Sequence, residues 1–174
     1  MLFRSLVIQG KGFFQIKLPS GSIAYTRAGN FQMDATGNIV DSNGNALQPQ
    51  INIPAASQSV AIAADGTVSY TLPNQSASQV AGQIQLANFI NPGGLNAIGS
   101  GYFEPTDASG EAQLGVPGGQ EGVGTLQQGY TENSNVSVVE EFINMISSQR
   151  AYEANSKVVK AADEMYQQVN NLAQ

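Results

Sequence analysis

With 174 residues, 41% of them hydrophobic, the chain can fill one ordinary core and still spare an appendage. Only 11% is charged and the net charge is −6, which leaves no basic stripe for nucleic acid and no polybasic segment for an anionic membrane surface. Cysteine and histidine are absent, so disulfides, thiolate sites, thiol nucleophiles and imidazole acid–base chemistry are excluded. Charge is also unevenly spread. After Arg4, Lys11, Lys17 and Arg27 no base follows until Arg150, while eight acids lie from Asp34 to Glu132.

In chain order, Leu6-Val7-Ile8 is too short an apolar run for a signal-peptide core, and nothing approaches the ~20 apolar residues of a membrane span. From Leu6 to about Phe103 short β-branched and aromatic runs alternate with turns. Strands are predicted at Phe13–Leu18, Ile23–Thr26, Asn30–Met33, Asn38–Val40, Val60–Ala63, Thr67–Leu72 and Gln83–Phe89. Between them stand Ser20-Gly21, Thr36-Gly37-Asn38, Asn43-Gly44-Asn45 and Asp65-Gly66-Thr67, where Gly or Asn tolerates positive φ. In the last run Ile84, Leu86 and Asn88 share one face, and Gln83, Gln85, Ala87 and Phe89 the other.

Residues 104–129 are Gly-rich and Pro-punctuated and read as an irregular return path, with a flexible linker the alternative that the same composition allows. From Ser137 the period changes. Ser137-Val138-Val139-Glu140 has the form of a capping box, and no Gly or Pro follows before Gln174, which permits one helix of roughly 50 Å. Ala151-Tyr152, Val158-Val159 and Met165-Tyr166 repeat at seven residues, with Asn155, Ala162 and Val169 in the same register. Arg150, Glu153, Lys157, Lys160 and Glu164 lie off that stripe, and such a helix wants a helical partner. No second helical segment of similar length is visible in the chain; the alternative is a helix folded back on its own sheet.

The overall expectation is mainly β with a long C-terminal α-helix: an antiparallel β domain over 1–130, return segment included, and a coiled-coil-forming helix over 131–174. Any catalysis would fall to carboxylates, but Asp34, Asp41 and Asp65 sit in turn-type sequence where local hydrogen bonding accounts for them. Asp41 to Asn45 opens like a calcium loop. Ala46 and Asn52 then stand where Gly and Glu are required. Gly10-Lys11-Gly12 lacks the phosphate-loop spacing, and Asn74-Gln75-Ser76 and Asn135-Val136-Ser137 are short enough to be chance glycosylation triplets. No catalytic residue, metal or cofactor is expected.

Two blocks together resemble the bacterial flagellar rod and hook family. The first is Leu6 to Phe14, through Gly10, Gly12, Phe13 and Phe14, continuing over Tyr25-Thr26-Arg27-Ala28-Gly29-Asn30-Phe31 to Gly37-Asn38-Ile39-Val40. The second is Ser134-Asn135-Val136, Glu140-Glu141, Met145-Ile146, then Gln149-Arg150-Ala151-Tyr152-Glu153-Ala154-Asn155-Ser156-Lys157 and Ala162-Asp163-Glu164-Met165. Together with Gly122 to Tyr130, the second block most resembles the distal-rod members; hook and proximal-rod members stay open.

The resemblance implies terminal helices paired as a coiled coil within a tubular polymer, with Gln149, Arg150, Ala151, Tyr152, Asn155, Val158, Val159, Ala162, Met165 and Val169 on the assembly helix. It implies self-assembly into a torque-transmitting shaft in the extracytoplasmic basal body. Partners would be copies of the chain, neighbouring rod and hook proteins and outer ring proteins, without nucleic acid or membrane insertion. Export would run through the flagellar type III channel without a Sec signal. Family members carry a long helix before the β domain, so a chain that starts with Met1-Leu2-Phe3-Arg4-Ser5 is expected to lack that helix. Rivals from other classes are an adhesin-like β module on a helical stalk and a carboxylate hydrolase.

Overall fold

The computed structural model describes residues 5–73, 77–119, 122–132 and 137–172, with no account of the side chains from 169 onward. The chain divides into two compact units, 1–132 and 133–174. In the first, the strands are β1 (Leu6–Gln9), β2 (Phe13–Lys17), β3 (Ile23–Thr26), β4 (Gln32–Met33), β5 (Ile39–Val40), β6 (Ala46–Gln48), β7 (Ser59–Ile62), β8 (Thr67–Thr71), β9 (Gln79–Gln83), β10 (Leu86–Asn88), β11 (Asn96–Gly99), β12 (Tyr102–Glu104), β13 (Gln113–Gly115) and β14 (Thr125–Gln128). The main sheet runs β11-β12-β3-β2-β6-β5-β4, with β10 joining both β2 and β13; β7-β8-β9 form a separate sheet and β1 pairs β14.

One turn design recurs. In Leu18–Ser22, Asp34–Asn38, Asp41–Asn45 and Ala63–Thr67 the fourth residue is a glycine whose N–H donates to the first residue's carbonyl, and the first residue's N–H donates to the fifth's carbonyl. The glycines Gly21, Gly37, Gly44 and Gly66 sit at φ of 89°, 87°, 84° and 83°, the left-handed position of a three-residue hairpin loop that a Cβ disfavours. Asp34 and Asp41 reinforce their turns. Each Oδ1 accepts the N–H groups of the third and fifth residues, at 2.8 Å from Thr36 and Asn38 and at 2.8 and 2.9 Å from Asn43 and Asn45. The carboxylate of the calcium-like loop is thus consumed by its own turn.

Adjacent residues of the main sheet feed two different cores. Phe14, Ala24, Leu86 and Tyr102 belong to a large cluster with Leu6, Ile8, Ile16, Leu47, Ile53, Ile84 and Leu126. Their neighbours Phe13, Tyr25, Ala87 and Phe103 belong to a smaller cluster around Phe89. Strand side chains alternate between faces, so this sheet is buried on both.

That two-sided burial explains the main departures from the sequence reading. Gln83–Phe89 is not one strand: β9 ends at Gln83, the Ile84 N–H donates to Gly66 O at 2.9 Å, and β10 starts at Leu86 in the other sheet. The stretch changes partner sheets, and from Leu86 its apolar residues enter both cores, Leu86 the larger and Ala87 and Phe89 the smaller, so its alternation marks no solvent face. Residues 104–129 are likewise not wholly irregular, for they contain β13 and β14. Leu6 pairs with Gln128 and Ile8 with Leu126, and the first strand of the unit is thereby tied to its last. The predicted Asn38–Val40 shrinks to β5 because the Asp34 turn takes up Asn38, and Asn30–Met33 shrinks to β4, with the Phe31 N–H donating to Gly29 O at 3.0 Å instead of to a strand partner.

The second unit is helix α1 (Val138–Leu172), ~52 Å long at 1.5 Å per residue. Ser137 caps it. Its Oγ accepts the Glu140 N–H at 3.4 Å, which satisfies an otherwise orphaned first-turn donor, and its carbonyl accepts the Glu141 N–H at 3.1 Å as the first bond of the helix. Glu140 and Glu141 lie in that first turn, where the helix dipole favours negative charge.

Candidate assembly site

Two groups of residues stand out from the sequence, one in each unit. In the β unit, Arg27 follows β3 and turns its guanidinium onto the β1–β2 link. Nη1 donates to Gly10 O at 2.9 Å and Gly12 O at 3.0 Å, Nη2 to Ile8 O at 3.0 Å, and Nε to the Glu132 carboxylate at 3.2 Å. The link draws on that donor for its Gly10 and Gly12 carbonyls, while Lys11 O accepts the Gly124 N–H at 2.7 Å. It also needs glycine: Gly10 and Gly12 have φ of 112° and 131°, and a Cβ on Gly10 would sit 3.1 Å from Gly124 Cα.

Gly29 locks the same junction. A Cβ on Gly29 would lie 1.8 Å from Leu6 O, while Leu6 N–H donates to Gly29 O at 2.9 Å. Only glycine admits that approach. Thr26 Oγ1 donates to Gly101 O at 2.9 Å and accepts the Ala28 N–H at 3.1 Å. Phe14 and Phe31 meet edge to face at 5.0 Å, and Phe13 contacts Phe89 at 5.8 Å and Phe103 at 6.0 Å, geometries that suit aromatic quadrupoles. Gly10, Gly12, Arg27 and Gly29 therefore serve the closure of the unit where β1, β2 and β14 converge, Phe14 and Phe31 pack in the larger core, and Phe13 and Thr26 make their contacts with Phe89, Phe103 and Gly101.

One polar cluster had no signal in the sequence. Asp41, 6% exposed, accepts a hydrogen bond at Oδ2 from the Tyr102 hydroxyl, which in turn accepts the amides of Asn43 at 2.8 Å and Asn45 at 3.1 Å. Burial, then the Asp41 hydrogen bond, pushes the Tyr102 hydroxyl above its ordinary value. Only the fold brings residue 102 to this turn. The other turn carboxylates are held low, Asp34 by the Thr36 hydroxyl and then the Asn38 N–H, Asp65 by the Thr67 N–H and then its hydroxyl; neither is poised as a general acid. Among the described residues no three of His, Cys, Asp and Glu come together as metal ligands.

On α1, Gln149, Arg150, Ala151, Tyr152, Asn155, Val158, Val159 and Met165 are exposed and Ala162 is half-buried; the side chain of Val169 lies outside the described residues. Tyr152, Val158, Val159, Met165 and Tyr166 are 60–77% exposed, an unusual display for large apolar groups. The stripe also extends further forward than the heptads suggested. Val138, Val139, Phe142, Ile143, Met145 and Ile146 are 49–68% exposed, and Val138 and Met145 continue the seven-residue line through Tyr152, Val159 and Tyr166. The signal for this front section was present in Val138 to Ile146, where only Glu140, Glu141 and Asn144 interrupt apolar residues. Among the described residues no helix is long and apolar enough to cross a membrane.

Comparison with known proteins places both groups. Residues 7–70 match the family model described as the flagellar hook protein FlgE/F/G D1 domain, and residues 127–172 the one described as the flagellar basal body rod FlgEFG protein C-terminal. The chain is 51% identical over 167 residues to the flagellar basal-body rod protein FlgG of Caulobacter vibrioides, covering 96% of the chain and 63% of that protein. It is 40% identical over 171 residues to the FlgG of Bacillus subtilis, covering 96% of the chain and 64% of that protein. The flagellar hook protein FlgE of Salmonella typhimurium is 38% identical over 141 residues, covering 81% of the chain and 33% of that protein. The chain thus spans a little under two thirds of the rod proteins it matches.

Proposed function

The chain belongs to the flagellar basal-body rod protein FlgG family, and from that premise we propose that it is a structural, non-catalytic subunit of the distal rod, polymerising into a tubular shaft that carries torque from motor to hook. The observation that carries the reading is the exposed apolar seam of α1. Leaving Tyr152, Val158, Val159 and Met165 in water forfeits about 1.5–3 kcal/mol for each large side chain that could be buried, and a seven-residue repeat is matched to another helix.

In this reading residues 131–174 line the axial core, with Gln149, Arg150, Ala151, Tyr152, Asn155, Val158, Val159, Ala162, Met165 and Val169 at or beside the seam. Residues 1–130 form the outer layer. The β unit suits close lateral packing, because between Asp41 and Glu104 the sole charged residue is Asp65, and few ions need desolvation when such surfaces meet. Its partners are copies of itself and the neighbouring rod and hook proteins, with the outer rings around it, in the extracytoplasmic basal body.

The absence of cysteine makes a clean test available. Val158→Cys should form intermolecular disulfides under mild oxidation in a concentration-dependent way, and Lys160→Cys, off the stripe, should form far fewer. Equal cross-linking at the two positions would sink the seam as the contact between helices.

A further inference from the structure

Asn43-Gly44 is the only Asn-Gly pair in the chain. Asparagine is thermolabile, and a following glycine, having no side chain, leaves its backbone nitrogen open to reach the neighbouring carboxamide. Asn43 is exposed, so water is at hand. Yet both reacting groups are engaged. The Gly44 N–H donates to Asp41 O at 3.1 Å, and the Asn43 carboxamide nitrogen donates to the Tyr102 hydroxyl at 2.8 Å. The Asn43 backbone N–H is held as well, by Asp41 Oδ1 at 2.8 Å. Tyr102 is itself fixed by Asp41 and by the Asn45 amide.

We infer that Asn43 is a latent deamidation site, kept dormant by the Asp41–Tyr102 network while the β unit is folded and released when it is not. In the reaction the Gly44 nitrogen forms a bond to Asn43 Cγ, the Cγ–Nδ2 bond breaks, and ammonia leaves carrying the proton lost by Gly44. Water then opens the resulting succinimide at either carbonyl to give aspartate or isoaspartate. For the ring to form, the Gly44 N–H must leave Asp41 O and the carboxamide must leave Tyr102. Both steps require the turn to open.

The products cannot be accommodated as the asparagine was. Aspartate at 43 would set a second carboxylate beside buried Asp41 and remove a donor to Tyr102. Isoaspartate would add a methylene to the main chain inside a loop whose length fixes the Val40–Ala46 pairing of β5 with β6. A subunit that lingers unfolded therefore loses the ability to close this hairpin, whereas a folded one is preserved.

The test uses the full chain, incubated at mildly alkaline pH with and without denaturing urea, with conversion at residue 43 read by peptide mass mapping and isoaspartate labelling. Folded wild type should convert more than about tenfold more slowly than unfolded chain, since opening even this one turn costs free energy. Tyr102→Phe, verified as folded, should convert several-fold faster than folded wild type and at the same rate in urea; Asn43→Ser should give no product at this position. Should Tyr102→Phe fail to fold, wild type alone decides: its rate across a urea series should follow the fraction unfolded. Equal rates folded and unfolded, or a rate blind to the unfolding transition, would overturn the inference. A folded Tyr102→Phe reacting at the wild-type rate would overturn the hydroxyl's part in it.

Discussion

Arg27→Ala would remove one guanidinium and leave the Ile8, Gly10 and Gly12 carbonyls without their donor. Two of those contacts, to Ile8 O and Gly12 O, are part-buried and the third is exposed. A hydrogen bond to a charged group contributes about 1.5–3 kcal/mol when shielded, and discounting for a partly wet site leaves ~1 kcal/mol for each part-buried carbonyl and less for the third. The ion pair to Glu132, with side chains 29% and 47% exposed, adds about 0–1 kcal/mol. The total is about 2–4 kcal/mol. The carbonyls should therefore outweigh the ion pair, so Glu132→Gln should cost under about 1 kcal/mol and Arg27→Lys, with one ammonium in place of a fork, should fall between. Urea unfolding of the full chain followed by tyrosine fluorescence gives the ordering, and hydrogen exchange at β1 and β14 gives the location. Equal losses for Arg27→Ala and Glu132→Gln would refute the reasoning.

Gly29→Ala should be among the most damaging single-methyl changes, because the new Cβ would occupy the position of Leu6 O at 1.8 Å; loss of exchange protection at Leu6 and Ile8, ahead of the β7–β9 sheet, checks it. Asp34 should titrate below 3.8, the ordinary aspartate value, because the Thr36 hydroxyl and the Asn38 N–H favour its charged form. A depressed carboxylate stabilises the fold above its unfolded value and loses that contribution as pH falls through its folded one, so Thr36→Val should raise the titration midpoint seen by NMR and flatten acid sensitivity of the β4–β5 turn. Ser137→Ala removes the helix cap and should cost about 1 kcal/mol of local helix stability, read as faster exchange over the first turns of α1 with the β unit unaffected.

The turns and the helix were legible from local chemistry. Gly37, Gly44 and Gly66 announced hairpin loops because only glycine sits comfortably at their φ, and Ser137 announced a helix start because its hydroxyl suits the N-cap. What local reading missed was long-range. β14 is a short Thr-Leu-Gln-Gln run whose status as a strand depends on Leu6 to Gln9, more than a hundred residues earlier. The break at Ile84-Gln85 is invisible because both faces of the following strand are buried. Of the candidate sites, the heptad stripe was readable, and its forward extension was too, since Val138 and Met145 keep the seven-residue spacing; Phe142 and Ile143 lie off that line and broaden the apolar face. The Asp41–Tyr102 cluster could not be found at all without the fold.

If the exposed seam of α1 makes the polymer, Val158→Asp should break it where the helices meet. A carboxylate in a closed helix seam costs several kcal/mol, on the order of 2–5, or must be protonated, whereas Lys160→Gln off the stripe changes an exposed charge contributing under about 1 kcal/mol. Sedimentation of assembled material and thermal melting of the β unit should be measured on both variants beside wild type. Val158→Asp should abolish assembly with β-unit melting unchanged, while Lys160→Gln should behave as wild type in both. Normal assembly of Val158→Asp, or a fall in β-unit melting that matches its loss of assembly, would contradict that role for the seam.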